Sequence, residues 1–425
     1  MHLNWKRPKI FYGWWIVGAC FFVATAVGII FYGFTAIFEP IANEFGWSYA
    51  QISLAASLRG LEAGLLAPLI GVLVDRWGPR RLVFIGAVIL GLGLILLSRV
   101  TSLGMFYGTF LFIAIGTSTC ASTVLMTAVA NWFRSKVGIA TGIVMCGYGF
   151  SGLTILVIVK LIDMYEWRMA MVIIALGIWA IILPLSLLIR HKPEQYGYLP
   201  DGKESSSLIP GEGPSKKETD TVDMSTKQAL KSRAFWHISL PLVFQNMMLS
   251  AVVTHVMPYL SSVDITRSVA GLVASAIPLI SISGRLSFGW AGDKFEKRRV
   301  AAGGFTMVSL GMLCFGYVPT GGTWLLVPFL ILFGIGYGGM NTLRVTLVRE
   351  YFGRSSFGTI HGISMGIMML GTFVGAPLAG WVFDTWANYQ PIWIGFAGLA
   401  IVAIIIEATM PSVSTTIQLA NKPKA

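Results

Sequence analysis

Apolar residues occur along this chain in long continuous runs that short polar segments separate. Twelve runs have about the length that a helix needs to cross a hydrocarbon layer roughly 30 Å thick. We therefore predict twelve transmembrane helices. They cover residues 12–38, 48–74, 82–98, 103–131, 137–162, 168–190, 236–262, 266–292, 300–318, 323–348, 357–383 and 389–410.

One long polar stretch, residues 191–232, interrupts this pattern and is rich in Ser, Gly, Pro and charged residues. Such a composition favours a cytoplasmic linker without a packed core of its own. It divides the twelve predicted spans into an N-terminal set of six in residues 1–190 and a C-terminal set of six in residues 233–425.

The two halves repeat one another. The loop Gly71–Arg81 recurs as Gly289–Arg299, with its aspartate 218 residues further on. Two other pairs keep nearly the same offset: Trp132-Phe133 with Tyr351-Phe352, and Asp163 with Asp384. Parallel repeats of this kind are one way in which secondary transporters are built. The pattern predicts an all-α integral membrane protein with two pseudo-symmetric six-helix bundles.

Composition and charge support this membrane class. The chain is 55% apolar and 12% charged, which would leave too much apolar surface on a soluble protein. Its formal net charge of +12 comes from bases concentrated on one predicted side. This positive-inside bias places both termini in the cytoplasm, and the first span is expected to be retained. Compact loops favour a bacterial inner membrane. The basic residues are not interleaved with aromatic residues in the pattern that stacking on nucleic-acid bases would need.

Sequence patterns that resemble cofactor or metal motifs have structural explanations. The stretch Gly147–Gly152 matches G-x-G-x-x-G but neither follows a strand nor opens a helix. The four cysteines lie in separate apolar runs without metal-ligand spacing: Cys20, Cys120, Cys146 and Cys314. We expect no metal, no cofactor and no enzymatic activity. Glycines at four-residue spacing are expected to bring helix backbones together, among them Gly142, Gly362 and Gly366.

Arg285 is the strongest candidate for ligand binding. It precedes Asp293 by eight residues, which is about 12 Å of helix. None of its neighbours at three and four residues is acidic: Ser281, Ile282, Phe288 and Gly289. A guanidinium with two parallel donors at this depth suits a carboxylate from solution. The alternative is a structural pair with an acid on another helix.

Arg59, Glu62 and Arg344 are further charged residues within predicted spans. Arg59 is about 24 Å from the loop at Asp75, nearer the outer face, and Glu62 follows within one turn and could neutralise it. A structural or gating role and a direct substrate or proton role both remain open for this pair. Arg344, near the inner end of span ten, can reach the interface by snorkelling, and a structural role is expected for it.

Neutral and titratable polar groups supply further candidates. His255 in span seven is a candidate proton carrier or a hydrogen-bonded structural residue. Five other side chains offer contacts to a ligand, or packing against a neighbouring helix: Asn246, Tyr337, Asn341, Tyr32 and Tyr148. A gating role, with contacts across the bundles that stabilise one access state, is predicted for the repeated loops through Asp75, Arg76, Arg80, Asp293 and Lys297.

The repeated loop resembles the signature of the major facilitator superfamily, here present in both halves. Within that superfamily, Tyr12-Gly13-Trp14-Trp15, the stretch Trp132–Gly142 and Arg285 resemble monocarboxylate transporters and bacterial oxalate–formate antiporters. The resemblance implies the major facilitator fold and a small-carboxylate carrier in which Arg285 binds substrate. This chain departs from those families at Tyr12, Gly33 and Ser281, where they carry an acid, a lysine and an aspartate.

These departures mean that the proton route of the relatives cannot be transferred to this chain. The resulting hypothesis is a monomeric, proton-coupled symporter of a small monocarboxylate such as lactate or pyruvate. Its partners are the substrate, protons and the lipid bilayer. Anion exchange of the oxalate–formate type is the alternative within the class. A membrane sensor that does not transport is the alternative from another class.

Overall fold

The computed structural model of the chain describes residues 11–133, 137–191, 193–196, 224, 226–352 and 357–411. All regular structure in these ranges is helical. The first half contains α1 Tyr12–Tyr32, α2 Phe34–Phe45, α3 Tyr49–Trp77, α4 Pro79–Leu97, α5 Leu103–Thr119, α6 Ser122–Trp132, α7 Val137–Phe150 and α8 Gly152–Leu188.

The second half continues with eight further α-helices. They are α9 Thr226–Lys231, α10 Arg233–Ser262, α11 Arg267–Lys294, α12 Lys297–Gly316, α13 Val318–Gly321, α14 Leu326–Phe352, α15 Phe357–Trp386 and α16 Gln390–Ala408. Ser232 caps α10 by accepting a hydrogen bond of 3.2 Å from the backbone N–H of Phe235.

The helices coincide with the predicted apolar runs, with three differences. The fourth run divides at Cys120 and Ala121 into α5 and α6. The first run divides at Gly33, and α2 continues to Phe45, where Gly46 ends it with a left-handed φ of 64°. The fifth run divides at Ser151 into α7 and the first part of α8. The rest of α8 covers the sixth run, and the chain turns within α8 at Glu166, where φ is 63°. Ten described stretches are long and apolar enough to span a membrane. The one at Ile139–Leu188 covers two predicted spans, and the 29-residue α3 is the remaining one.

The described residues fall into two compact units. The first comprises residues within Met1–Phe31, Leu65–Ser151 and Tyr165–Lys216. There α4 packs on α5, and the indole of Trp179 donates a 3.0 Å hydrogen bond to the carbonyl of Ala87. Gly147 lies against α1, where a Cβ would stand 2.4 Å from the carbonyl oxygen of Phe21. The G-x-G-x-x-G stretch therefore begins with a glycine required for helix contact.

The second unit comprises residues within Tyr32–Gly64, Gly152–Met164 and Lys217–Ala425. Within it α10 packs on α15, α11 on α14, and α12 on both α14 and α16. Backbones approach closely at Gly371 and Gly375 of α15, where a Cβ would meet α10 carbonyl oxygens at 2.0 and 2.1 Å. Closeness of this kind lets dispersion contacts hold helices together in lipid.

The glycine expectation was wrong for Gly142, Gly362 and Gly366. A Cβ at any of these positions would meet no atom of the described residues within 4 Å. Their spacing is the same as that of the glycines that do lie at contacts. Spacing places glycines on one face of a helix, but whether a neighbouring helix covers that face depends on the tertiary arrangement.

Candidate functional site

Arg285 lies in the second unit beside a pair of buried tyrosines. The hydroxyl oxygens of Tyr32, at the end of α1, and Tyr337, on α14, are 3.2 Å apart. The two residues are 4% and 7% exposed. Arg285 on α11 is half-buried and interacts electrostatically with Tyr32. The three side chains thus form a polar cluster inside a largely apolar helix assembly.

Close contact between α11 and α14 brings this cluster together. A Cβ at Gly338 would lie 2.1 Å from the carbonyl oxygen of Ser281, and one at Gly284 would lie 2.2 Å from that of Ile335. The hydroxyl of Ser281 donates a 2.7 Å hydrogen bond to the carbonyl of Pro278 in its own helix. Ser281 thus contributes its backbone carbonyl to the α11–α14 contact, while its hydroxyl bonds within α11.

Two side-chain amides donate to the backbone carbonyl of Tyr337. Gln245 on α10 donates a hydrogen bond of 3.1 Å, and Asn341 donates one of 3.2 Å, to the carbonyl of Tyr337. Sequence reasoning missed Gln245, which is 3% exposed; a glutamine within an apolar run was the available signal. Asn246 likewise donates a hydrogen bond of 2.9 Å to the carbonyl of Leu242, one turn earlier in its own helix. Binding roles for Asn246 and Asn341 stay predictions.

Tyr148, another predicted ligand contact, lies in the first unit. It is half-buried, and its carbonyl accepts a hydrogen bond of 2.7 Å from the hydroxyl of Ser151. The described contacts of the first unit do not assign it a binding role, which stays a prediction.

His255 has a hydrogen-bonded, fully buried environment. Its Nε2 lies 2.8 Å from the Ser53 hydroxyl and 2.9 Å from the carbonyl oxygen of Ala376. Its Nδ1 lies 2.8 Å from the hydroxyl of Tyr389. Three elements, α3, α15 and the start of α16, are thereby held to α10. This geometry favours the structural alternative for His255 over the proton-carrier alternative.

Glu62 does not form the local pair that its spacing from Arg59 predicted. Both carboxylate oxygens of Glu62 are buried, and neither accepts a hydrogen bond from any residue that the structure describes. Arg59 is 9% exposed, on the same helix. Around this level α3 lies against α15, since a Cβ at Gly60 would stand 2.8 Å from the Thr372 methyl group. Glu62 is thus a buried acid without the usual compensation of a buried charge.

Arg344 contradicts the snorkelling expectation. It is 8% exposed, and its Nη1 lies 3.0 Å from the sulfur of Met368 on α15. The side chain therefore lies among helices of the second unit and does not extend to an interface. Arg344 lies on the face of α14 that packs against α15. This packing, and not the distance from the helix end, decides the surroundings of its side chain.

The predicted gating residues are only partly described. The side chains of Asp75 and Asp293 lie outside the described part of the structure. Arg76 and Arg80 are exposed. Lys297 at the start of α12 forms a 2.5 Å ion pair with Glu350 at the end of α14, within the second unit. Their gating role stays a prediction.

The repeated aspartates Asp163 and Asp384 occupy equivalent places. The Asp384 carboxylate accepts hydrogen bonds of 3.0 and 2.9 Å from the backbone N–H groups of Tyr49 and Ala50, the first two residues of α3. Asp163 forms a 3.1 Å ion pair with Arg267, the first residue of α11. An acid at a helix N-terminus compensates the unpaired N–H groups and the helix dipole. Both contacts lie at the predicted outer ends of the spans.

Potential metal ligands are dispersed in the described ranges. No group of three or more His, Cys, Asp or Glu residues there is arranged to hold a metal ion. The four cysteines are free thiols, and Cys20 and Cys120 are buried in the helix packing.

Comparison with known proteins gives the family. The profile described as Major Facilitator Superfamily matches residues 20–266 and 256–418. Monocarboxylate transporter 12 of Xenopus laevis is 25% identical over 398 residues, covering 91% of this chain and 86% of that protein. Monocarboxylate transporter 13 of Bos taurus is 23% identical over 429 residues, covering 96% and 91%.

Solved structures show the same fold at low identity. A bacterial homolog of the human lysosomal transporter Spinster matches with a TM-score of 0.70 at 16% identity, covering 98% of this chain and 97% of that one. The nucleoside transporter NupG matches with a TM-score of 0.73 at 16% identity, covering 94% and 99%. The predicted all-α major facilitator fold is confirmed. Since the family profile spans nearly all of the sequence, the chain is a transporter of the Major Facilitator Superfamily.

Proposed function

We propose that the chain is a proton-coupled symporter of small monocarboxylates, such as lactate or pyruvate, that works by alternating access. The observation that carries this proposal is the cluster of Arg285 with the hydroxyl pair of Tyr32 and Tyr337 inside the membrane-spanning helices. The named similarity to monocarboxylate transporters over 91% of the chain supports the same substrate class.

Each member of the cluster has a distinct part in binding. The Arg285 guanidinium presents parallel N–H donors to the two oxygens of a carboxylate, a geometry that lysine cannot match. The Tyr32 and Tyr337 hydroxyls, which now bond one another, can turn to donate to the same anion. The ring of Phe333, whose centroid lies 6.3 Å from that of Tyr337, is buried and apolar, which suits the short tail of such a substrate.

A proton must accompany the anion if the carrier cycle is to be electroneutral. We assign the proton site to Glu62, because a buried carboxyl group without hydrogen bonds is less costly when protonated than when charged. Ser281 stands where relatives carry an acid, and His255 is held by its three hydrogen bonds. A proton bound at Glu62 and a carboxylate bound at Arg285 would cross together.

Alternating access would use the two ends of the spans in turn. In this structure the predicted outer ends are held by Asp384 at the start of α3 and by Asp163 at Arg267. The repeated loops would hold the opposite end when these contacts open. This cycle is proposed for a monomer in a bacterial inner membrane, with both termini in the cytoplasm.

Reconstitution into proteoliposomes tests the proposal. An imposed pH gradient, acidic outside, is expected to drive accumulation of labelled lactate into vesicles that contain no internal anion substrate. Uptake that requires internal oxalate or formate would instead identify an exchanger. A complete lack of carboxylate uptake or exchange would contradict a carboxylate carrier and favour the sensor.

Substitution of Asp384 with asparagine is expected to open the outer end more often. Asparagine retains one acceptor oxygen but loses the charge that stabilises the start of α3, a contribution of about 0.3–1 kcal/mol at a helix terminus. The readout is labelling of an Ile41→Cys reporter by a membrane-impermeant maleimide, with the four native cysteines replaced. Ile41 is buried in α2. Labelling is expected to become about two- to fivefold faster.

The control for this experiment is Asp264→Asn, which removes an exposed acid in the loop between α10 and α11. It should leave the labelling rate unchanged. Equal rates in D384N and the unsubstituted reporter would show that the contact does not hold the outer end closed.

Replacement of His255 with phenylalanine is expected to destabilise the protein without uncoupling it from protons. The ring would fill the space, but Ser53, Tyr389 and the Ala376 carbonyl would each lose a hydrogen-bond partner. Lost hydrogen bonds of buried groups cost about 1–3 kcal/mol each. A lower thermal unfolding temperature in detergent should accompany uptake that still responds to the pH gradient. Loss of that response at unchanged thermal stability would instead make His255 the proton site.

A further inference from the structure

Arg344 lies on the same face of α14 as two residues of the candidate site. Tyr337, Asn341 and Arg344 are spaced by four and three residues, so their side chains follow one another along one side of the helix. Arg344 also interacts electrostatically with Tyr337. Tyr337 in turn bonds Tyr32, which interacts with Arg285. A polar track thus joins the two arginines through the two tyrosines.

The guanidinium of Arg344 has little compensation within the protein. The residue is 8% exposed, its Nη1 faces the sulfur of Met368, and its Nε is buried without a hydrogen-bond acceptor. In the described ranges, no carboxylate forms an ion pair with it. Sulfur is a weak acceptor, and a buried cation in a membrane protein costs several kcal/mol unless an anion or water compensates it.

The position of Arg344 places it between Arg285 and one end of the protein. It follows Tyr337 by seven residues, or about 10 Å along α14, toward the predicted cytoplasmic end. Helical side chains lean back toward the N-terminus of their helix, so the guanidinium leans toward Tyr337. Met368, which contacts Arg344, precedes Gly371 by three residues on α15. Gly371 packs on Val243 of α10, two residues before Gln245, which donates to the Tyr337 carbonyl. The guanidinium therefore lies within about two helical turns of the tyrosine pair.

We infer that Arg344, with Asn341 and Tyr337, forms a second carboxylate-binding site, which holds the anion between Arg285 and the cytoplasm. This inference rests on the proposed function. An anion that leaves Arg285 would meet the tyrosine hydroxyls and then a second cation, without entering apolar surroundings as a bare charge. The substrate class of this second site is the same small carboxylate. A carboxylate that enters from the cytoplasm would reach this site first. Loss of the site should therefore raise the KM more for substrate presented at the cytoplasmic face than at the outer face.

The test compares lactate transport in right-side-out and inside-out membrane vesicles. Arg344→Gln keeps a polar side chain but removes the charge, and loss of a charge-assisted hydrogen bond raises KM about tenfold or more. We expect this rise for lactate presented at the cytoplasmic face, and a change of less than about threefold at the outer face. Arg344→Lys should recover part of the cytoplasmic affinity. Arg99→Gln, at an exposed arginine in the first half, is the matched control and should change neither KM.

The possible results separate this inference from the function on which it rests. An absence of carboxylate transport by the wild-type protein in vesicles of both orientations would refute the proposed function and, with it, the second site. Wild-type transport with an R344Q variant of unchanged KM on both faces would refute the second site alone. A lower Vmax with unchanged KM, or an equal rise on both faces, would make Arg344 structural and would also refute the second site.

Discussion

Substitution of Arg285 with alanine is expected to abolish lactate uptake. The substitution removes the cation that compensates the carboxylate at membrane depth, where an uncompensated charge costs several kcal/mol. Lysine at this position would keep the charge but lose the two parallel donors, so R285K should transport with a KM raised about tenfold or more. Initial rates of labelled lactate uptake into proteoliposomes driven by a pH gradient measure both effects.

The matched controls for Arg285 are Arg99→Ala and Arg99→Lys, because Arg99 is an exposed arginine. Both should transport like the wild type. Equal thermal unfolding of the variants in detergent would show that the helices remain assembled. A folded R285A protein with wild-type KM would contradict the assignment of Arg285 to the substrate.

Replacement of Glu62 with glutamine is expected to separate anion exchange from proton-driven uptake. Glutamine has nearly the shape of a protonated glutamate, but it can neither release nor take up a proton. Exchange of labelled for unlabelled lactate at equal pH needs no net proton movement and should continue. Accumulation driven by an imposed pH gradient should fall at least about tenfold, because the proton can no longer be released in each cycle.

Two variants make this prediction specific to Glu62. Glu62→Asp keeps an acid and should retain part of the driven uptake, whereas Glu166→Gln removes an exposed acid and should change nothing. Driven uptake by E62Q at the wild-type rate would exclude Glu62 as the proton site. Loss of exchange as well as driven uptake would give Glu62 a structural role.

Much of the fold follows from the sequence because membrane spans have a simple signature. A run of apolar residues of sufficient length predicts a helix without knowledge of its neighbours, since backbone groups in lipid must bond within the helix. The break at Gly33 and the extension of α2 to Phe45 did not follow, because this segment includes Glu39 and Glu44 and ends the apolar run early. Its helix depends on packing in the second unit.

The site was harder to predict because its contacts join distant parts of the chain. Tyr32 and Tyr337 were separate candidates, and nothing in the sequence predicts that hydroxyls 305 residues apart lie within 3.2 Å. Gln245 was missed since amides in apolar runs have no distinctive spacing. Arg344 was placed from its distance to a helix end, while its surroundings depend on the packing of α15 against α14.

The internal repeat carried more information than any single motif. It paired Asp163 with Asp384, and the structure places each at the start of a helix, α11 and α3 respectively. Those helices begin at Arg267 and Tyr49, which are 218 residues apart, the offset of the signature loops. A repeat can therefore predict equivalent contacts, because both copies keep the same helix order, even where it cannot predict their partners.

A structure of the carrier with bound lactate tests the central claim most directly. We predict density for the carboxylate within hydrogen-bond distance, about 2.7–3.2 Å, of the Arg285 guanidinium, with a hydroxyl of Tyr32 or Tyr337 turned toward it. Lactate bound elsewhere, with Arg285 paired to an acidic side chain of the protein in the same structure, would contradict the claim.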